Sequence, residues 1–93
     1  TLDRSEAVKK YILARANGIC EYSGEAGPFI SKDTGTPFLE VHHIKRLSDN
    51  GLDHPVNCAA ISPNVHREIH SGVNGELINQ RLIEIIRDKE NGI

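Results

Sequence analysis

The chain has 93 residues and a formal net charge of −2, a length that suits one small domain. No apolar run approaches the roughly 20 residues of a membrane span. Two cysteines do not make a disulfide framework, and the acidic balance argues against a free-standing nucleic-acid binder. We expect one soluble, cytoplasmic domain over residues 1–93, excised from a longer protein because the sequence begins with Thr1 and contains no Met.

The first predicted element is a helix over residues 4–16. Asp3 and Glu6 form a variant of the capping box, and apolar residues then recur at helical spacing until the Asn-Gly pair at 17–18 ends the run. Residues 23–37 are rich in Gly and Pro, which predicts loops and turns.

Two strands are predicted over residues 38–44 and 56–61, separated by a polar loop. A Pro that can open a helix then predicts a helix over residues 63–71, and a final helix follows over residues 76–89. The apolar stripe of the last helix comprises Leu77, Ile78, Leu82, Ile83, Ile85 and Ile86. The centre of the chain is therefore strand, loop, strand and helix, braced by a helix at each end.

Histidines occur in two patterns. "LEVHHI" places His42 and His43 side by side in a strand, and "HREIH" places His66 and His70 four residues apart on a helix. That helical spacing puts both imidazoles on one face, where they can hold one metal ion, although an isolated pair can equally decorate a solvated face. A third ligand from the upstream pair would complete a site of the open, catalytic type.

Together, "EVHHI", "DHPVN", "SPNVHREIH" and the following Gly72 resemble the HNH endonuclease motif over about residues 15–72. "RANGICEYSGEAGPF" resembles the lead-in of HNH domains from restriction enzymes. The resemblance implies an α+β fold of the small ββα-metal type, with a two-stranded antiparallel hairpin, a metal-binding helix and a flanking helix at each terminus. It implies a metal-dependent DNA endonuclease, the cleavage module of a restriction-type enzyme, a class that includes modification-dependent enzymes. The alternative is a catalytically inactive HNH-fold module that binds DNA or protein.

The resemblance also implies the metal ligands. His42, His66 and His70 would bind one divalent ion, and Glu40 would orient a ligand or a basic residue, unless it is a plain surface residue of the strand. Three imidazoles favour Mn²⁺, Ni²⁺, Co²⁺ or Zn²⁺, with Mg²⁺ also open.

His43 would be the general base that takes a proton from the attacking water, with Asn57 tying the loop and orienting His43. Adjacent strand residues point to opposite faces, so the strand must end or twist near His43 if both histidines are to reach one phosphate. Lys45, Arg46 and Arg67 are candidate DNA phosphate contacts, or else ordinary surface charge.

The resemblance further implies partners. DNA is the substrate, and one site cuts one strand, so a double-strand break needs a homodimer or two successive nicks. Sequence or modification specificity would lie in another domain of the longer protein, because no feature here clearly reads bases. No membrane partner is expected.

The chain departs from the family at a zinc site that many such domains build from four cysteines. The four matching positions hold Cys20, Ser23, Ser62 and Val65. We expect no structural zinc, and we expect Val65 to pack with Ile19 and Ile61 instead. Cys58 is predicted to be a buried thiol of the core. A Cys20–Cys58 disulfide, a zinc site of Cys20 with His54, and a nucleophilic Cys58 are lesser alternatives.

Overall fold

A computed structural model describes residues 4–91. Helix α1 spans Arg4–Ala16, which confirms the predicted range, although Asp3 of the capping box lies outside the described residues. The helix ends because Asn17 and Gly18 take left-handed conformations, with φ of 53° and 80°. None of the helices between residues 4 and 91 combines the length and hydropathy that crossing a membrane requires.

The centre of the fold is an antiparallel pair of strands, β1 at Glu40–His43 and β2 at Cys58–Ile61. Both strands are shorter than the predicted 38–44 and 56–61. The predicted start of the second strand is wrong because Pro55–Asn57 forms a 3₁₀ turn, closed by a 2.9 Å hydrogen bond from the Asn57 amide to the His54 carbonyl.

Helix α2 spans Pro63–Ser71, as predicted, and the Ser62 hydroxyl caps it by accepting a hydrogen bond from the Val65 amide at 3.3 Å. Helix α3 spans Gly75–Glu90, one residue longer at each end than predicted. Gly75 lies so close to the Ile69 carbonyl that a Cβ would collide with it. The first turn of α3 therefore sits directly against α2.

The core lies between the strands and the flanking helices, with Ile12 of α1, Ile61 of β2 and Leu82 and Ile86 of α3 fully buried. The predicted stripe on α3 is partly wrong, because Leu77 is 64% exposed and Ile83 is 39% exposed. The buried line instead runs at intervals of four residues, as expected when a helix packs a narrow face on a small sheet. This line consists of Ile78, Leu82 and Ile86.

The four positions of the family's zinc site form an ordinary packed corner. The buried Cys20 sulfur accepts hydrogen bonds from the Ser23 and Ser62 amides, each at 3.4 Å. Val65 joins the core with Ile61, as expected, but the expected contribution of Ile19 is wrong because this side chain is 42% exposed.

A buried ion-pair network beside this corner was not predicted from the sequence. Its members are Arg15, Glu21, Lys89 and Glu90. The Arg15 guanidinium binds Glu21 through two bonds of 2.8 Å and also donates to the carbonyls of Pro55 and Cys58. Glu21 in turn accepts from the Ala60 amide at 2.9 Å. The network thus joins α1, β2 and α3 and pairs polar groups on the outer edge of β2.

Candidate metal centre and active site

Three imidazoles converge where β1 packs on α2. His42 comes from β1, while His66 and His70 lie one turn apart on α2. The ring centroids are 5.0 to 5.5 Å apart, and one candidate ligand atom from each residue lies within 4.8 Å of the others. The structure therefore brings together all three residues that the sequence assigned to the metal, and an all-imidazole donor set suits a divalent transition ion.

Two oxygen acceptors orient these rings. The Nδ1 atom of His66 lies 2.9 Å from a carboxylate oxygen of Glu40, and the Nε2 atom of His42 lies 2.9 Å from the side-chain oxygen of Asn79. Because these oxygens accept hydrogen bonds, the two ring nitrogens donate, which leaves the opposite nitrogen of each ring with a lone pair for a metal. Glu40 thus contacts His66, one of the three residues predicted to bind the metal.

Asn79 is a supporting residue that sequence reasoning missed. It lies one turn after Gly75 on α3, so the close approach of α3 to α2 carries the amide to His42. The sequence holds no local signal for this contact.

His42 is the buried member of the cluster, with only 5% of its surface exposed. Burial lowers its pKa, and the neighbouring rings of His66 and His70 lower it further, while the hydrogen bond to Asn79 acts in the opposite direction. The ring is therefore neutral at neutral pH, as a metal ligand must be.

His43 is the next residue of β1 and its side chain points to the opposite face, where it is 28% exposed. Its Nε2 atom lies 3.0 Å from a carboxylate oxygen of Asp53, which accepts the ring proton and leaves Nδ1 as the proton-accepting nitrogen. The strand ends at His43, one residue before the predicted end at residue 44. Asp53 was missed, although an acidic residue in the loop between His43 and Asn57 was a usable signal.

Asn57 ties the loop that carries Asp53. Its side-chain oxygen accepts from the Lys45 amide at 2.9 Å, and its amide group donates to the carbonyls of Lys45 and Leu52 at 2.9 and 2.8 Å. These bonds close both ends of the segment between the strands. The ring of His43 donates its hydrogen bond directly to Asp53, so Asn57 acts on His43 only through the loop that carries Asp53.

The chain is similar to known restriction enzymes in sequence and structure. It is 46% identical over 85 residues to the type IV methyl-directed restriction enzyme EcoKMcrA of Escherichia coli (strain K12), a match that covers 90% of this chain and 30% of that protein. The structure of the type IV phosphorothioation-dependent restriction endonuclease ScoMcrA matches with a TM-score of 0.78 and 28% identity, over 91% of this chain and 16% of that chain.

The chain has the ββα-metal fold of HNH endonucleases and resembles the domain used by restriction enzymes. This confirms the fold class and the family resemblance predicted from the sequence. No model of a known protein family matches the chain. The chain spans less than a third of the curated relative.

The three cations predicted to contact phosphate are all exposed. Arg67 lines a cavity of about 360 Å³ together with Glu40, His66 and His70. Lys45 and Arg46 follow His43 on the loop, where Arg46 pairs with the exposed Asp49 at 2.9 Å. Of the three cations, Arg67 is therefore the one that shares a cavity with the candidate metal ligands.

Cys58 and Cys20 are both free, buried thiols, so the disulfide alternative is wrong. Burial raises the pKa of the Cys58 thiol to about 11, which keeps it protonated and argues against a nucleophile. His54 caps the 3₁₀ turn by accepting from the Val56 amide. Within residues 4–91, Cys20 belongs to neither cluster of metal-ligating side chains, which does not support the alternative zinc site with His54.

Proposed function

We propose that this HNH domain is the cleavage module of a divalent-metal-dependent DNA endonuclease of the restriction type. The observation that carries the proposal is the convergence of His42, His66 and His70 next to a separately oriented His43. Similarity to two restriction enzymes supports it. The module would work in the cytoplasm as one domain of a longer protein.

His42, His66 and His70 would hold the metal ion. Hydrogen bonds to Asn79 and Glu40 keep a nitrogen lone pair available on His42 and His66. When bound, a divalent cation supplies stabilisation of the negative charge that develops on the scissile phosphate and the leaving oxygen. The donor set favours Mn²⁺, Co²⁺, Ni²⁺ or Zn²⁺ over Mg²⁺.

His43 would act as the general base. Its Nδ1 atom takes a proton from the attacking water, since Nε2 keeps its own proton on the Asp53 carboxylate. Asp53 also stabilises the positive ring that results, and Asn57 holds the loop that presents Asp53. Asn57 is thus a positioning residue.

The exposed cations would bind the DNA backbone. Arg67 lies in the same cavity as His66 and His70, so a phosphate near the metal would contact the guanidinium directly. Lys45 and Arg46 are exposed on the loop after His43 and would add further contacts there. Phosphate contacts of this kind position DNA without reading its sequence.

Specificity would reside outside the HNH domain. One relative is described as methyl-directed and the other as phosphorothioation-dependent, yet both are similar to the same small module. The shared module therefore suits the shared chemistry of cleavage, and recognition of a DNA modification suits the rest of each longer chain. A double-strand break would need a homodimer or two successive nicks.

The alternative is an inactive HNH-fold module that binds DNA or protein. The ligand cluster, its two orienting acceptors and the His43–Asp53 pair are all in place, and a binding module would need none of them.

Nicking of supercoiled plasmid tests the proposal. The 93-residue chain should nick DNA with Mn²⁺, Co²⁺ or Ni²⁺ and stop when a chelator is added. His66→Ala should abolish nicking, while the control His54→Ala, which removes a histidine outside the cluster, should retain it. Equal trace rates for wild type and His66→Ala in every metal would reject the proposal in favour of the inactive module.

A further inference from the structure

The described residues hold a second cluster of metal-ligating side chains, on the other face of β1. His43, Asp53 and Cys58 each offer a ligand atom within 4.8 Å of the other two. His43 and Cys58 are paired directly across the two strands, so their side chains share one face of the sheet. Asp53 reaches the same point from the loop.

The donor set of this cluster is suited to a soft divalent ion. An imidazole nitrogen, a carboxylate oxygen and a sulfur are typical zinc ligands, whereas Mg²⁺ requires oxygen ligands. A tetrahedral Zn²⁺ separates such ligands by about 3.3 to 3.6 Å. The His43 and Asp53 atoms are already 3.0 Å apart, so a small outward movement would admit the ion.

The position of each ligand gives the ion a route. The side chains of His43 and Asp53 are 28% and 25% exposed, while Cys58 is fully buried beneath them. An ion would enter from solvent between His43 and Asp53, and the Cys58 sulfur would bind it from the interior side.

We propose that His43, Asp53 and Cys58 form a second, inhibitory site for Zn²⁺ and similar soft ions. This proposal rests on the proposed role of His43 as the base. A neutral imidazole has one nitrogen lone pair, so a ring that binds the ion has none left to accept a proton from water. The Cys58 thiol loses its proton to solvent as the sulfur–metal bond forms, a step that the histidine cluster does not need. Removing this proton and opening the His43–Asp53 hydrogen bond both cost free energy, so we expect the histidine cluster to fill first at neutral pH.

Cobalt titration tests the site without using activity. The chain is titrated with Co²⁺ beyond one equivalent, and the near-ultraviolet absorption is followed for the charge-transfer band of a cobalt–thiolate bond. The band should appear with the second equivalent. It should persist in Cys20→Ser, which removes the other buried thiol, and vanish in Cys58→Ala and Cys58→Ser. Circular dichroism checks that each variant is folded.

Zinc inhibition supplies the second readout. With Mn²⁺ supporting nicking, added Zn²⁺ should inhibit the wild type, and Cys58→Ala should need at least about tenfold more Zn²⁺ for the same inhibition. Its rate without Zn²⁺ should be unchanged. No cobalt–thiolate band in the folded wild type overturns the site, even if nicking is normal. A band without nicking in any metal overturns the proposed function and leaves the ion site in place.

Discussion

The histidine cluster and the buried ion-pair network are both polar assemblies whose members come from elements far apart in the chain. They differ in whether their polar groups are all paired. In the network, Glu21 is fully enclosed and its oxygens accept from Arg15, Lys89 and a backbone amide. In the cluster, His42 and His66 each use one ring nitrogen internally and keep the other lone pair available. A completely satisfied set of charges stabilises the fold, and a partly satisfied set can bind a ligand.

If the network serves stability and the cluster serves metal binding, removing one charge from the network should lower stability and leave the metal site intact. Glu21→Ala leaves Arg15 and Lys89 without their buried partner, so we expect the free energy of unfolding to fall by about 3–5 kcal/mol. Urea unfolding measures this, with the exposed Glu25→Ala as the control. A loss below about 1 kcal/mol would show that the network is not a principal support of the fold.

A substitution beside His43 should instead affect activity and leave stability nearly unchanged. Asp53→Asn keeps the size of the side chain, but its amide can donate to Nε2 of His43 and shift the ring proton to Nδ1. We expect nicking to slow by about 10²-fold with unfolding nearly unchanged. Asp33→Asn, an exposed acid in the earlier loop, is the matched control. Wild-type rates for Asp53→Asn would remove Asp53 from the proposed mechanism.

A smaller effect is expected at the oxygen that orients His66. Glu40→Gln weakens the hydrogen bond to Nδ1, and loss of such a supporting contact costs about 10–100-fold in metal affinity. Calorimetric titration with Mn²⁺ or Co²⁺ compares it with Glu68→Gln on the exposed side of α2. Equal affinities for the two variants would mean that Glu40 is a plain surface residue of the strand.

The smallest expected effect is the pH dependence of stability that Glu21 of the ion-pair network contributes. Burial alone raises the pKa of Glu21, but hydrogen bonds from Arg15, the Ala60 amide and Lys89 outweigh it, so the pKa lies below its ordinary value of 4.5. A carboxyl with a lowered pKa adds stability above its unfolded value, and this is lost as pH falls through the folded value. The free energy of unfolding, measured from about pH 6 downward, should therefore fall below pH 4.5. The fall should be less steep in Glu21→Gln. Parallel curves would contradict this.

The sequence predicted the elements whose ends are set locally. The Asn-Gly pair at 17–18 and Pro63 fixed the adjoining helix ends to the residue, because these residues act through their own backbone. The length of the second strand was overestimated because its start depends on the turn at Pro55–Asn57. The hydrogen bonds of this turn involve the loop before it.

The site was predictable only in part for the same reason. His66 and His70 share a face by helical spacing alone, and the family pattern supplied His42 and His43. Asn79 could be found only in three dimensions, since the approach of α3 brings it to His42. For Asp53 the sequence offered an acid in the right loop, but only the structure shows that the loop brings it to His43. The exposure of Ile19 likewise depends on the path of the chain after α1.

The rate of plasmid nicking by His43→Ala, compared with His54→Ala under the same Mn²⁺ concentration, tests the central claim most directly. Both variants lose one imidazole from the same region, but of the two histidines only His43 is hydrogen-bonded to a carboxylate. The account predicts a fall of about 10²–10⁴-fold for His43→Ala and a rate close to wild type for His54→Ala. Equal rates for wild type and His43→Ala would contradict it.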